Sequence, residues 1–197
     1  MVNVKYTFTF TLFSYPIYFM LTIISGTNRK DSMTSKVAAV VQSLAKNSNT
    51  DTSFIDLSNL ENDFIHSAQY SADNLPDWLK KLQHDHLIKA DKFIIVSPEY
   101  NGSIPGYLKL FIDAISVNKL KESFGSKHTA LIGVSSGRAG NLRGMDHLSA
   151  ILHHIGCNVI PGSLPISGIG KVVQADGSLD DDTTKAVQQL LDKLLAT

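Results

Sequence analysis

The chain alternates between apolar runs of strand length and segments with helical spacing. The runs are rich in Val, Ile and Leu and lie at residues 18–25, 52–57, 92–98, 128–136 and 157–164. Because they lack polar alternation, they are typical of strands covered on both faces. Between them, apolar residues recur at i, i+3, i+4 and i+7, as at residues 108–115. The pattern predicts an α/β fold, a doubly wound parallel sheet of five strands with about five helices.

The length and charge of the chain limit the class of protein further. At 197 residues, we predict a single domain over residues 19–197. Apolar residues make up 43% and charged residues 18%, which indicates a globular protein. Lys and Arg together number 18, as do Asp and Glu, so no basic face is expected and nucleic acid is disfavoured as a partner.

Residues 1–18 are apolar and aromatic with one lysine. A membrane anchor or signal peptide is the alternative interpretation of this stretch, but Pro16 interrupts it and no small-residue cleavage site follows. Residues 19–26 moreover predict the first core strand. We therefore interpret residues 1–18 as an N-terminal extension of open role and expect no membrane partner.

The sequence contains one cysteine, Cys157, which excludes an internal disulfide. This usage is typical of a reducing compartment, so we expect a cytoplasmic protein. Cys157 begins the apolar stretch "CNVIPG" and is predicted to be a buried small residue rather than a reactive thiol.

In a doubly wound sheet, ligands bind at the carboxyl ends of the strands, so the loops there are informative. The first strand is followed by "SGTNRKDSMTSK", which supplies hydroxyls from Thr27, Ser32 and Thr34 and a guanidinium from Arg29. A helix predicted to begin near residues 32–35 adds free N–H groups, and together these predict a phosphate site. Ordinary helix capping is the alternative. Neither GxxxxGK[ST] nor GxGxxG is present, which favours a monophosphate ligand.

The loops after the third and fourth predicted strands also carry ligand-type residues. The segment "SPEYNGSIPG" contains Pro98, Glu99, Tyr100 and Asn101, and it offers polar groups to the edge of a heteroaromatic ring with Tyr100 available to stack. The segment "SSGRAGNLRG", residues 135–144, is rich in glycine and predicts a loop against which a flat ligand lies.

These three segments resemble the cofactor loops of the NADPH-dependent FMN reductases, flavodoxin-like enzymes that include quinone and azo-dye reductases. The resemblance spans about residues 20–195, and "PEYNGSIPGYLK" is its most specific motif. It implies strand order 2-1-3-4-5 and non-covalent FMN. It also implies that hydride passes from NADPH to FMN and that the electrons pass on to a quinone, azo compound or similar small acceptor. NADH is an alternative donor. It also implies a homodimer or homotetramer.

The resemblance also implies roles for individual residues. Those implied to hold the FMN phosphate are Thr27, Arg29, Ser32 and Thr34. Those implied to border the isoalloxazine and ribityl chain are Pro98, Glu99, Tyr100 and Asn101, and those at the far ring edge are Ser135, Ser136, Gly137 and Arg138. Many relatives have Ser-Leu-Arg where this chain has Thr27-Asn28-Arg29. No catalytic side chain is implied, because the cofactors carry the bond chemistry, and Glu99 is expected to structure its loop with its backbone facing the flavin.

Other functions have weaker support in the sequence. Residues 133–137, "GVSSG", satisfy the G-x-S-x-G motif of serine hydrolases with Ser135 as nucleophile, but the histidines that follow and Asp146 all fall on one predicted helix, where His147 and Asp146 point apart. The histidine pairs at 84/86 and 153/154 lack metal-ligand spacing, so no metal is predicted. A non-enzymatic flavin-binding electron carrier or sensor stays an alternative.

Overall fold

The computed structural model describes residues 19–197, so the predicted extension over residues 1–18 lies outside the described residues. A parallel sheet forms its centre. The strands are β1 (Met20–Ser25), β2 (Asp51–Asp56), β3 (Lys92–Pro98), β4 (His128–Val134), β5 (Asn158–Val159) and β6 (Leu164–Ile166). They are arranged in the order β2-β1-β3-β4-β5, and β6 also pairs with β4. The predicted fold class and strand order are confirmed.

Seven α-helices surround this sheet in the part of the chain described. They are α1 (Met33–Asn47), α2 (Asp77–Leu82), α3 (Gly106–Ser116), α4 (Leu120–Phe124), α5 (Leu142–His154), α6 (Ile169–Val172) and α7 (Asp181–Leu195). Short 3-10 turns cover Leu57–Asn59 and Ala72–Asn74, and a π-helical turn covers Gln83–Ile88. No helix within residues 19–197 combines the length and the hydropathy needed to cross a bilayer.

The sheet is buried on both faces, as the apolar strand pattern predicts. Ile24 and Ile95 belong to a core cluster that also contains apolar residues of α3 and α5. Their chain neighbours Ile23 and Ile94 belong to a second cluster, with apolar residues of α1 and α7. Successive strand residues therefore point to opposite faces, and each face has its own helical layer.

The fifth predicted strand, residues 157–164, is not continuous. It is divided into β5, which pairs with the start of β4, and a separate β6, which pairs with the end of β4. Pro161 has no N–H to donate, and Gly162 has φ +90°, a conformation outside the strand region. These two residues break the ladder, and the prediction of a single strand here was wrong.

Cys157 is buried, as the sequence predicts, with 3% of its surface exposed. Its thiol donates to the carbonyl oxygen of Phe124 over 3.3 Å. Burial raises the pKa of this thiol to about 11. Its environment is therefore that of an inert core residue.

Candidate functional site

The first loop of the site leaves β1 through Gly26. The Gly26 N–H donates to the carbonyl oxygen of Val96 over 2.8 Å, and a Cβ at this position would lie 2.9 Å from that same oxygen. Glycine is thus required for the close approach. The loop then reaches α1, where the Ser32 side chain caps the helix by accepting from the Ser35 N–H over 3.1 Å.

This loop presents free N–H groups and one cation at the start of α1. Met33 and Thr34, the first two residues of α1, donate their N–H groups to no acceptor among the described residues. Arg29 is exposed, and no carboxylate of residues 19–197 lies within 4.0 Å of it. The Thr27 hydroxyl accepts from the Arg29 N–H over 3.2 Å and so fixes the base of the loop. Free N–H groups, the helix dipole and a guanidinium are the elements of an anion site.

The second loop contains a tight two-residue turn. Tyr100 and Ser103 exchange both backbone hydrogen bonds, at 2.9 and 3.0 Å. Between them, Asn101 has φ +52° and Gly102 has φ +76°, the left-handed pair for which the Asn-Gly dipeptide is favoured. The turn presents the Tyr100 ring, which is 37% exposed, and its hydroxyl lies 3.0 Å from the Thr27 Oγ1. The second loop is therefore tied directly to the first.

Glu99 makes a structural contact through its backbone. Its N–H donates to the Val134 carbonyl oxygen over 2.9 Å and is not free for a ligand. The residue lines the cavity described below, and one oxygen of its carboxylate lies 3.8 Å from the Arg143 Nη2. Glu99 thus joins β3 to β4 through its backbone at the edge of the cavity.

The third loop follows β4 and is held by the segment around α6. The Ser135 N–H donates to the Ile166 carbonyl over 3.0 Å, and the Ile169 N–H donates to the Ser135 carbonyl over 3.0 Å. The predicted loop over residues 135–144 is shorter than expected, because α5 begins at Leu142 and places Gly144 in a helix. Asn141 precedes that helix and donates to the Ser97 carbonyl over 3.0 Å.

The three loops enclose a cavity of about 230 Å³. Nine of the twelve predicted residues line it, namely Thr27, Arg29, Ser32, Thr34, Pro98, Glu99, Tyr100, Ser135 and Ser136. An adjoining cavity of about 270 Å³ shares Glu99 and both serines and adds Asn101, Gly102 and Gly137. Arg138 lines neither of these two cavities, and its carbonyl accepts from the Ser167 hydroxyl over 2.6 Å.

Four lining residues were not predicted, namely Asp31, Met33, Val134 and Ile169. Asp31 and Met33 lie inside the quoted first segment, directly beside the predicted Ser32, so their position in that segment was a usable signal. Val134 ends β4 and gave no chemical signal. Ile169 begins the four-residue helix α6, which carries no motif.

The hydrolase triad, which was weighed from the sequence as an alternative, does not assemble in the described residues. The Ser135 hydroxyl donates to the Gly137 carbonyl over 3.0 Å, and no histidine of residues 19–197 hydrogen-bonds to it. His147 instead lies with its Nδ1 2.8 Å from the Ser103 hydroxyl. Across the same residues, no three His, Cys, Asp or Glu side chains are grouped so as to hold a metal ion.

A doubly wound sheet in this strand order, with three loops meeting at its carboxyl edge, has the flavodoxin-like fold. A solved flavodoxin from the domain Archaea has the same fold, with a TM-score of 0.54, 12% identity, and coverage of 89% of this chain and 97% of that one. A flavoenzyme NAD(P)H:(acceptor) oxidoreductase, FerB from Paracoccus denitrificans, gives a TM-score of 0.69 and 28% identity, with coverage of 90% and 96%.

Sequence comparison gives the family. Residues 20–170 match the NADPH-dependent FMN reductase family, and the chain belongs to it. A 2-hydroxy-1,4-benzoquinone reductase from Burkholderia sp. is 29% identical over 180 residues, which cover 89% of this chain and 94% of the relative. An NADPH azoreductase from Bacillus sp. (strain OY1-2) is 28% identical over 177 residues, with coverage of 89% and 90%. The resemblance stated from the loops is confirmed, and the protein is an NAD(P)H-dependent oxidoreductase of this family.

Proposed function

We propose that the protein holds FMN non-covalently in the cavity between the three loops, takes hydride from NADPH and reduces a quinone, azo compound or similar small acceptor. One observation carries this proposal: a cation, two free helix N–H groups and an exposed tyrosine converge on one cavity. The printed names of the quinone-reducing and azo-reducing relatives support the class of acceptor.

The residues of the first loop fit a phosphate group. Thr27 and Thr34 are almost fully buried, at 1% and 2% exposed, and both line the cavity. Arg29 supplies a forked donor that matches phosphate oxygens. Asp31 lines the same cavity, so we expect anion binding to depend on the Arg29 guanidinium.

The residues of the second loop fit a flat ring. Tyr100 offers an exposed aromatic face, and the N–H groups of Asn101 and Gly102 find no acceptor among the described residues. Such free donors stabilise negative charge on a ring edge, so the site needs no acid–base pair. When bound, FMN supplies hydride acceptance from the nicotinamide cofactor and electron delivery to the acceptor.

We also propose a cytoplasmic homodimer or homotetramer. The supporting observation is a groove of about 570 Å³ between α3 and α5. Ile112, Leu120, Ile151 and Ile155 line it, and a Lys109–Asp113 ion pair of 2.6 Å lies at its rim. A surface that carries apolar groups and both charges can complement a second copy of itself. Sedimentation of Ile151→Glu should give monomers, and an unchanged oligomer would contradict this interface.

The binding test compares Arg29→Gln with Lys46→Gln, which removes a charge at the far end of α1. Loss of a charged hydrogen bond costs about 1.5–3 kcal/mol, so the FMN Kd of Arg29→Gln should rise by roughly ten- to hundredfold. Lys46→Gln should bind as the wild type does. Quenching of FMN fluorescence measures both, and an unchanged Kd for Arg29→Gln would refute the proposed phosphate site.

The activity test is an anaerobic titration of the FMN-loaded protein with NADPH. Bleaching of the oxidised flavin band at about one equivalent, with colour restored by a quinone, is the expected result. If FMN binds but neither NADPH nor NADH bleaches the band, the proposed hydride transfer to FMN is refuted. If FMN does not bind, the proposal fails entirely.

A further inference from the structure

A second polar cavity lies on the other side of the first loop. It has a volume of about 290 Å³. Its walls come from the first loop and from the segment that follows β2, and the lining residues are Asn28, Lys30, Leu57, Ser58, Asn59, Leu60 and Asn62. None of these residues lines the FMN cavity proposed above.

Residues 27–31 of the first loop line the two cavities in turn. Thr27, Arg29 and Asp31 line the proposed FMN cavity, whereas Asn28 and Lys30 line the second one. The loop therefore presents one cation to each cavity, Arg29 to the first and Lys30 to the second. The first loop thus forms part of the wall of both cavities.

The lining of the second cavity suits an anionic, hydroxyl-rich group. Its three asparagine amides and the Ser58 hydroxyl can both donate and accept hydrogen bonds. Lys30 is exposed, and no carboxylate among residues 19–197 lies within 4.0 Å of its ammonium group. No carboxylate side chain lines the cavity. A lone ammonium among amides is a suitable environment for a phosphate on a sugar.

The far wall of this cavity is held in place before any ligand arrives. Leu57 is fully buried in the core, and the Asp56 carboxylate accepts from the Ser58 N–H over 3.0 Å. Further along, the Tyr107 hydroxyl donates to the Glu61 carbonyl over 3.3 Å. Fixed walls reduce the ordering cost of binding.

We propose that this cavity binds the phosphorylated adenosine ribose of NADPH and that Lys30 gives the enzyme its preference for NADPH over NADH. The inference rests on the proposed function, which supplies an extended dinucleotide as co-substrate. NADPH differs from NADH by one phosphate on that ribose, so one ammonium group at its binding site is sufficient for discrimination. The FMN phosphate is assigned to the Arg29 side of the loop and does not compete for Lys30.

The kinetic test compares Lys30→Gln with Lys36→Gln, which removes another exposed charge, from α1. For Lys30→Gln, we expect kcat/KM with NADPH to fall by about five- to twentyfold through KM, with kcat and the NADH values unchanged. Lys36→Gln should match the wild type. Equal losses for both dinucleotides, or a wild type without preference for NADPH, would overturn the assignment.

A binding test separates this inference from the proposed function. Adenosine 2′,5′-bisphosphate and ADP are titrated into the FMN-loaded wild type and Lys30→Gln, with calorimetry as the readout. The wild type should bind the bisphosphate more tightly than ADP, and Lys30→Gln should bind the two nucleotides with similar affinity. An equal affinity of the wild type for both nucleotides would refute the subsite. If the wild type prefers the bisphosphate but oxidises neither dinucleotide, the subsite stands and the proposed reaction fails.

Discussion

Gly133 offers the sharpest test of how the site is built. It lies in β4, where a Cβ would be 2.2 Å from the Gly140 carbonyl oxygen and 2.9 Å from the Sδ and Cε of Met145. Non-bonded carbon and oxygen atoms keep roughly 3.3 Å apart. In Gly133→Ala, the third loop would therefore have to move outward by about 1 Å.

The cost of that movement is large because the contact is with backbone. Met145 can change rotamer, but the Gly140 carbonyl moves only with its loop, and a Cβ at Gly140 itself would lie 2.6 Å from the Pro165 side chain. Overpacking of a filled core costs about 1–3 kcal/mol. We expect Gly133→Ala to lose about 3 kcal/mol of unfolding free energy and to bind FMN more weakly, because the displaced loop carries Ser135 and Ser136.

The matched control is Gly106→Ala, at the first residue of α3, where a Cβ would meet nothing within 4 Å. Alanine in a helix is favoured over glycine, so this variant should gain up to about 1 kcal/mol. Urea unfolding followed by circular dichroism gives both values. Because Gly→Ala in a strand is otherwise neutral or stabilising, a Gly133→Ala protein within about 0.5 kcal/mol of the wild type would refute the close approach.

Three further results are expected. Tyr100→Phe removes the 3.0 Å hydrogen bond to Thr27 and should raise the FMN Kd about threefold to tenfold, as measured by fluorescence titration. An unchanged Kd would contradict the link between the first and second loops. Cys157 should react with a thiol reagent at pH 8 roughly a hundredfold more slowly in the folded than in the unfolded protein, because the pKa of its thiol is raised from 9.0 to about 11 in the folded state. Rapid labelling of the folded protein would show that the thiol is accessible. Burial lowers the pKa of Lys127 from 10.5 to about 8, so the unfolded state binds more protons than the folded state between these two pH values. The unfolding free energy of the wild type, measured against that of Lys127→Met, should therefore rise with pH across this range. A constant difference between the two proteins would argue against this shift.

The sheet and most of the site were predictable from local sequence patterns. Strands buried on both faces carry continuous Val, Ile and Leu, and parallel strands bring their carboxyl ends to one edge. The loops that follow β1, β3 and β4 therefore had to meet. That argument needs no contact information, and it brought nine of the twelve predicted residues to one cavity.

The parts that sequence patterns missed depend on tertiary contacts or on short elements. Ile169 lies at the cavity where its N–H donates to the Ser135 carbonyl, a contact between segments that are distant in the sequence. The start of α5 at Leu142 follows from Asn141, which adopts φ +65° and bonds to Ser97. In contrast, the break in the fifth strand had a signal in the sequence, namely Pro161 followed by Gly162. The prediction missed it because the residues on both sides of this pair are apolar and have the composition of a strand.

The division of the fifth strand also affects the tendency of the sheet edge to aggregate with other copies of the protein. A long unpaired edge strand is a template for strand addition by another chain. Here the outer side of β4 is covered by segments of two and three residues, and the Pro161 carbonyl between them already accepts from the Lys193 ammonium over 2.5 Å. This border of the sheet has no continuous row of free backbone groups, so it resists edge-to-edge aggregation.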